Sequence, residues 1–132
     1  KKKISNNNLK NINLLKPVYG DQKKKELFKK YDILVLPTQN ENFGMVILEA
    51  LARGLPVLTT NETPWSEIQQ KKAGWIINYS LSELCLALNE IVNTKHSFYI
   101  KRKKSISIAK KFEFKKVSEK YYELYYKLAK KS

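Results

Sequence analysis

Apolar positions change their spacing near Asn78, and that change divides the chain in two. Before it, short continuous apolar runs alternate with stretches of helical spacing. Ile33-Leu-Val-Leu36 is branched and apolar throughout, which reads as a strand buried on both faces. Downstream, Leu48, Leu51 and Ala52 repeat at helical spacing, with Ile47 and Ala50 filling in. Gly54 sits where a left-handed C-cap belongs, and Pro56 prevents continuation. The same signals predict strands over residues 12–16, 33–36, 56–59 and 74–77, and helices over 22–30, 44–53 and 64–71. Strands alternating with helices imply an α/β fold, a parallel sheet with right-handed crossovers. After Asn78 the pattern is wholly helical. Leu81, Leu84, Cys85, Leu88, Ile91 and Val92 make one apolar stripe, and Phe114, Val117, Tyr121, Leu124, Tyr125 and Leu128 another. No repeat and no Gly-, Pro- or Ser-rich linker divides the chain, so residues 1–132 are read as a single domain. Its α/β part is 1–78 and its helical tail 79–132.

Charge adds less than its size suggests. The net charge is +14, but only Arg53 and Arg102 among the 26 basic residues are arginine. Lysine excess beside many Asn and Ile is what an AT-rich coding bias produces, so charge alone names no ligand. The basic runs Lys101-Arg-Lys-Lys104 and Lys110-Lys111, next to the tyrosine-rich stripe, offer contact with an anionic membrane surface at about 1 kcal/mol per basic residue. No apolar run reaches the roughly 18 residues of a spanning helix, and no secretory signal is present. The expected location is cytoplasmic, with peripheral contact at the inner face of the membrane. Nucleic acid is not an expected partner, because the chain lacks a helix-turn-helix, zinc-finger, RRM or KH signature.

Other chemistries are excluded by residue type. One Cys and one His make neither a Cys-His metal site nor a disulfide. Cys85, on an apolar stripe, is expected to be a buried, inert thiol, and His96 an exposed junction residue. Glycines stand only at 20, 44, 54 and 74, so neither a P-loop nor G-x-G-x-x-G can be written.

The candidate chemistry lies in Glu41-Asn-Phe-Gly-Met-Val-Ile-Leu-Glu49, which places two carboxylates around a glycine at a strand-to-helix junction. Glu49 falls about one turn inside the helix. The first amides, near Gly44 and Met45, face the carboxyl edge of the sheet, where unpaired amides attract phosphate.

With the residues before and after it, this segment resembles the carboxyl-terminal donor-binding domain of retaining glycosyltransferases of family 4, which have the GT-B fold. The matching features are the E-x7-E spacing, the Phe-Gly after Glu41 and the continuation Glu49-Ala-Leu-Ala-Arg-Gly-Leu-Pro-Val57. The specific likeness covers residues 11–78 and implies a partial Rossmann-like sheet, half of a GT-B enzyme, followed by carboxyl-terminal helices. It implies transfer of a sugar, as by a hexosyltransferase, from a nucleotide-diphosphate donor to a glycan or lipid-linked acceptor in bacterial surface polysaccharide synthesis, such as lipopolysaccharide or capsule. Neither a metal nor a cofactor is implied. Glu41 matches the catalytic glutamate that accepts from donor-sugar hydroxyls. Asn42, Phe43, Gly44 and Met45 match its neighbours at the sugar and diphosphate, Val46 lines the nucleoside pocket, and Glu49 matches the ribose-binding glutamate. A carboxylate suits both glutamate roles because it offers only acceptors.

Two departures qualify the likeness. Many family members carry a Gly-Gly pair where this chain has Thr63-Pro-Trp65, so phosphate contacts would pass to the Thr63 hydroxyl or to the Trp65 and Ser66 amides. Thr63 is expected to be an N-cap with Pro64 at the first helical position, Glu67 matches the glutamate after the pair, and Trp65 reads equally as core or lid. The second departure is the absence of the Gly-Arg…Lys segment that neutralises the donor diphosphate. Lys1-Lys-Lys-Ile-Ser5 is most like a helix end. At 132 residues the chain has room for one domain, so a fragment lacking its amino-terminal GT-B partner is expected. Alone it should be inactive and prone to association, with the strand at 12–16 either separated by a gap or forced against the strand at 33–36. The alternative is a non-catalytic nucleotide-sugar-binding module derived from such an enzyme.

Overall fold

The computed structural model describes residues 11–94 and 97–130. The expected helix end at Lys1–Ser5 and the junction residue His96 lie outside them. Helix α1 (Asp21–Lys29) leads into strand β1 (Leu34–Leu36), then α2 (Met45–Ala52), β2 (Val57–Thr60), α3 (Glu67–Gln70) and β3 (Trp75–Ile77). The tail is α4 (Leu81–Asn93), α5 (Phe98–Ala109), a 3-10 turn (Lys110–Phe112) and α6 (Phe114–Ala129).

The three strands form one parallel sheet in the order β1-β2-β3, with Leu34 opposite Val57 and Leu58 opposite Trp75. This is a partial Rossmann-like α/β unit with carboxyl-terminal helices: the alternation of periods gave the α/β class, and the family resemblance implied the partial Rossmann-like sheet. Every residue of β2 is buried, because successive side chains point to opposite faces and both faces are covered. Val57 packs with Ile47, Leu51, Leu55, Trp65, Ile68 and Ile108 on one side. Leu58 packs with Trp75, Ala87 and Ile91 on the other. Each large apolar side chain withdrawn from water in this way contributes roughly 1.5–3 kcal/mol.

Helix α2 ends as its sequence predicts. Gly54 has φ 71°, and the Gly54 and Leu55 amides donate back to the Leu51 and Ala50 carbonyls, the paired bonds of a Schellman motif. Helix α5 contributes more to the core than its charge implies. Ile108 is fully buried, and the buried Ser105 hydroxyl reaches both the Ala73 and Lys101 carbonyls.

Several expectations fail. Residues 12–16 are not a strand: Ile12, Leu14 and Leu15 are about half exposed, and β1 is the edge of the described sheet. A strand needs a paired neighbour, and this segment has none within the described residues, so neither a gap nor a forced pairing arises. The helix expected over 64–71 shrinks to α3, preceded by Ser66, whose side chain makes no cap bond; Thr63 is not the N-cap, and its hydroxyl donates to the Thr60 carbonyl at 3.0 Å. Cys85 is exposed. The face that α4 turns inward is Leu84, Ala87, Leu88 and Ile91, an i, i+3, i+4, i+7 set that leaves Cys85 to one side.

Candidate functional site

Parallel strands present their carboxyl ends on one side, and the connections there carry the candidate residues. After β1 the chain runs through residues 37–43 and enters α2 at Gly44. Thr59 and Thr60 at the end of β2 donate to the Leu36 and Thr38 carbonyls, pinning the start of this connection to the sheet.

Gly44 has φ 74° and ψ 65°, a left-handed conformation. A side chain there would also come within 3.0 Å of Ile47 and 3.1 Å of Glu41, so only glycine fits this turn without displacement. The Gly44 amide donates to Glu41 Oε1 at 3.1 Å. The expected open amide is therefore closed by the chain's own carboxylate. A helix N-terminus attracts the nearest acceptor, and here that acceptor lies three residues upstream. Among the described residues no partner takes the Met45 and Val46 amides, which remain the open donors at the head of α2. Phe43, Met45 and Val46 are exposed, and so is Asn42.

Glu49 stands one turn further along α2. Its Oε1 accepts from Lys24 of α1 at 2.7 Å, and Arg53, on the next turn, donates to the Glu49 backbone carbonyl and pairs with Asp21. Sequence reasoning missed Lys24, because a lysine inside Lys23-Lys-Lys25 carries no local sign that it faces a carboxylate. Glu67, on α3, pairs with Lys111 from the 3-10 turn and with Lys71 at 3.8 Å.

The structure thus joins Glu41 to Gly44 directly and places Glu49 on the same helix. Thr63 is kept apart: it is buried on the connection after β2 with its hydroxyl turned inward. Trp65 is core, only 2% exposed. A cavity of about 250 Å³ also opens at the carboxyl ends of the strands, lined by Pro37, Thr60, Ile77, Asn78, Tyr79 and Leu84. Its walls are largely apolar and include neither Glu41 nor Glu49. Among the described residues no group of Asp, Glu, His and Cys gathers that could hold a metal ion. No helix among them is long and apolar enough to cross a membrane.

The family model for glycosyl transferases group 1 matches residues 1–112. The chain belongs to this family. Three relatives agree with that assignment. This group 1 chain is 39% identical over 46 residues to a D-inositol 3-phosphate glycosyltransferase of Streptomyces avermitilis, covering 35% of this chain and 10% of that protein. It is 31% identical over 81 residues to an alpha-1,3/1,6-mannosyltransferase of Neurospora crassa, covering 60% and 17%. It is 40% identical over 62 residues to an uncharacterized glycosyltransferase of Methanocaldococcus jannaschii, covering 47% and 16%. The chain therefore matches between 10% and 17% of the length of these relatives.

Proposed function

We propose that this group 1 chain is the donor-binding part of a retaining, family 4 glycosyltransferase with the GT-B fold. As part of a longer enzyme, it would transfer a sugar from a nucleotide-diphosphate donor to a glycan or lipid-linked acceptor in surface polysaccharide synthesis. The observation that carries the reading is the left-handed Gly44 turn, which sets Glu41 against the head of α2 with Glu49 one turn further along the same helix.

Each residue then has a task its chemistry suits. Glu41 keeps one oxygen on the Gly44 amide and offers the other to hydroxyls of the donor sugar. The Met45 and Val46 amides face the diphosphate side, where the positive end of α2 stabilises the charge that builds on the leaving group. Glu49 accepts from the two ribose hydroxyls, exchanging its bond to Lys24 for theirs or sharing both. Displaced from Glu49, Lys24 is a cation beside the nucleotide. Asn42 and Phe43 flank the sugar, and Val46 lines the nucleoside pocket. Thr63 bounds the phosphate side with its backbone, since its hydroxyl serves the Thr60 carbonyl. Acceleration comes from positioning the donor and stabilising the leaving diphosphate.

The test is a pair of substitutions in the full-length enzyme that carries this chain, read by calorimetric titration with nucleoside diphosphates and their sugars and by mass spectrometry of products. Glu49→Gln weakens the preferred nucleoside diphosphate by about 1.5–3 kcal/mol, the contribution of hydrogen bonds to a charged group. Glu41→Ala leaves the bare nucleotide bound but lowers kcat and kcat/KM with the nucleotide sugar. Unchanged nucleotide affinity in the first, or equal losses for nucleotide and nucleotide sugar in the second, defeats the assignment.

A further inference from the structure

Trp65 occupies an unusual position for a loop residue. It is 2% exposed, and its indole N–H donates to the Phe43 carbonyl on a segment 22 residues earlier. A buried indole N–H must find an acceptor. The acceptor used is the backbone of the turn that carries Glu41 and Gly44, not a carbonyl of its own loop. The rings reinforce that bond. Phe43, Trp65 and Phe112 form a closed triangle, with centroids 5.2 Å, 5.3 Å and 5.6 Å apart. Each ring comes from a different part of the chain: the connection into α2, the connection before α3 and the 3-10 turn after α5. Lys111, next to Phe112, pairs with Glu67, two residues beyond Trp65, so the same two segments are clipped together a second time.

We infer that Trp65, braced by Phe112, is a positioning residue for the donor turn. It holds the Phe43 carbonyl, so the Glu41 to Val46 turn keeps one conformation before any ligand arrives. This rests on the donor-site reading above and deepens it. Without the indole N–H the Phe43 peptide is free to rotate, and with it the Gly44 amide that fixes Glu41. The cost of ordering the turn would then be met at the moment of binding, which weakens the part of the ligand the turn contacts. Glu49 lies a turn further along α2, which is anchored by Ile47, Ala50 and Leu51 in a cluster that also includes Val57 of β2 and Ile108 of α5. The sugar end of the donor, held by Glu41 through the Gly44 amide, should therefore depend on Trp65 more than the nucleotide end, which Glu49 also holds.

Trp65→Phe keeps an aromatic ring but deletes the N–H together with the rest of the five-membered ring, so it is read beside Phe112→Leu, which leaves the N–H in place. The experiment has two readouts. The first is hydrogen exchange of the chain, comparing the bonded amides of Gly44 and Ile47, which donate to Glu41 and to the Gly44 carbonyl, with those of β2. The second is affinity of the full-length enzyme for the nucleotide sugar against that for the bare nucleoside diphosphate. The expected result is exchange in the turn accelerated about tenfold beyond any change in β2, and a nucleotide-sugar Kd about tenfold higher, while the bare nucleotide, which keeps Glu49 but meets the loosened Met45 and Val46 amides, weakens by a smaller factor of about threefold. Phe112→Leu should move the same readouts in the same direction by a smaller factor, and it carries the test if Trp65→Phe does not fold. Unchanged exchange in the turn overturns the proposal. So does equal weakening of both ligands, which is what a merely structural role would produce. If the unsubstituted enzyme binds no nucleotide sugar, the donor-site reading fails, while the exchange comparison still decides whether Trp65 holds the turn.

Discussion

Helices α2 and α6 show how differently two apolar helices of one chain can be used. In sequence, α6 has the cleaner helical stripe, from Phe114 through Val117, Tyr121, Leu124 and Tyr125 to Leu128, while α2 is apolar at so many positions that its period is hard to see. In the structure, three of the eight residues of α2 are fully buried and none of the sixteen of α6 is. The tyrosines of α6 stack along the helix surface, Tyr121 on Tyr125 and Tyr122 on Tyr126, and not into a core. A stripe predicts that a helix forms, but burial requires a partner, and the partner is a property of topology. Helix α2 lies between two strands of the sheet, so its stripe meets β2 and α5 as a consequence of chain order. Helix α6 follows the 3-10 turn and meets little else among the described residues.

The most severe way to test this contrast is Leu51→Ala. Leu51 is fully buried among Ile47, Leu55, Val57 and Ile108, so its removal leaves a cavity in the larger core cluster. The expected loss is about 2–5 kcal/mol, a large part of the stability of an ordinary domain. Chemical denaturation of the chain measures it. A loss below about 1 kcal/mol would mean that α2 is not seated as described, and the contrast with α6 would collapse.

Helix α4 stands between these extremes and offers a pH-dependent test. Its N-terminus is closed by a capping arrangement in which the Glu83 amide donates to Ser80 Oγ at 3.1 Å. The Glu83 carboxylate accepts from the Asn78 side-chain and backbone amides, both at 2.7 Å. The side-chain bond from Asn78, then the backbone one, hold its carboxyl below the ordinary value of 4.5. Because the folded state favours the ionised form, the stabilisation is present above that ordinary value. It is lost as pH falls through the lower folded value. Denaturation midpoints of Glu83→Gln and the unsubstituted chain should differ at neutral pH and converge in acid. A constant offset at every pH would show that the carboxylate charge has no part in the cap.

The limits of what the sequence disclosed follow the same line. The strands at 33–36, 56–59 and 74–77, and the helix that ends at Gly54, were legible because continuous branched runs and C-cap chemistry are local signals. The turn from Glu41 to Val46 was legible in outline, since glycine between two glutamates at a strand-to-helix junction restricts the backbone whatever surrounds it. What escaped was every feature that depends on residues distant in the chain. Ser105 and Ile108 are buried in α5, but its apolar residues are spread around the helix and hidden among lysines. The Lys24 partner of Glu49 and the Phe43–Trp65–Phe112 triangle pair segments that only the fold brings together. The strand expected at 12–16 failed for the converse reason: its local signal was present and its partner was not.

The smallest expected effect comes from the counterpart of the first substitution. Leu124, in the middle of the α6 stripe, is about half exposed, so Leu124→Ala removes little apolar area from contact and places a better helix former on the surface. The change in unfolding free energy should lie within about 0.5 kcal/mol, the usual range for surface positions. The measurement becomes more informative when repeated at two protein concentrations. If the stripe is free in solution, the small effect does not change with concentration. A loss above about 1 kcal/mol that grows as the protein is concentrated would mean that a second copy covers the stripe, because association stabilises by mass action. The contrast between α2 and α6 would then be one of intramolecular against intermolecular burial.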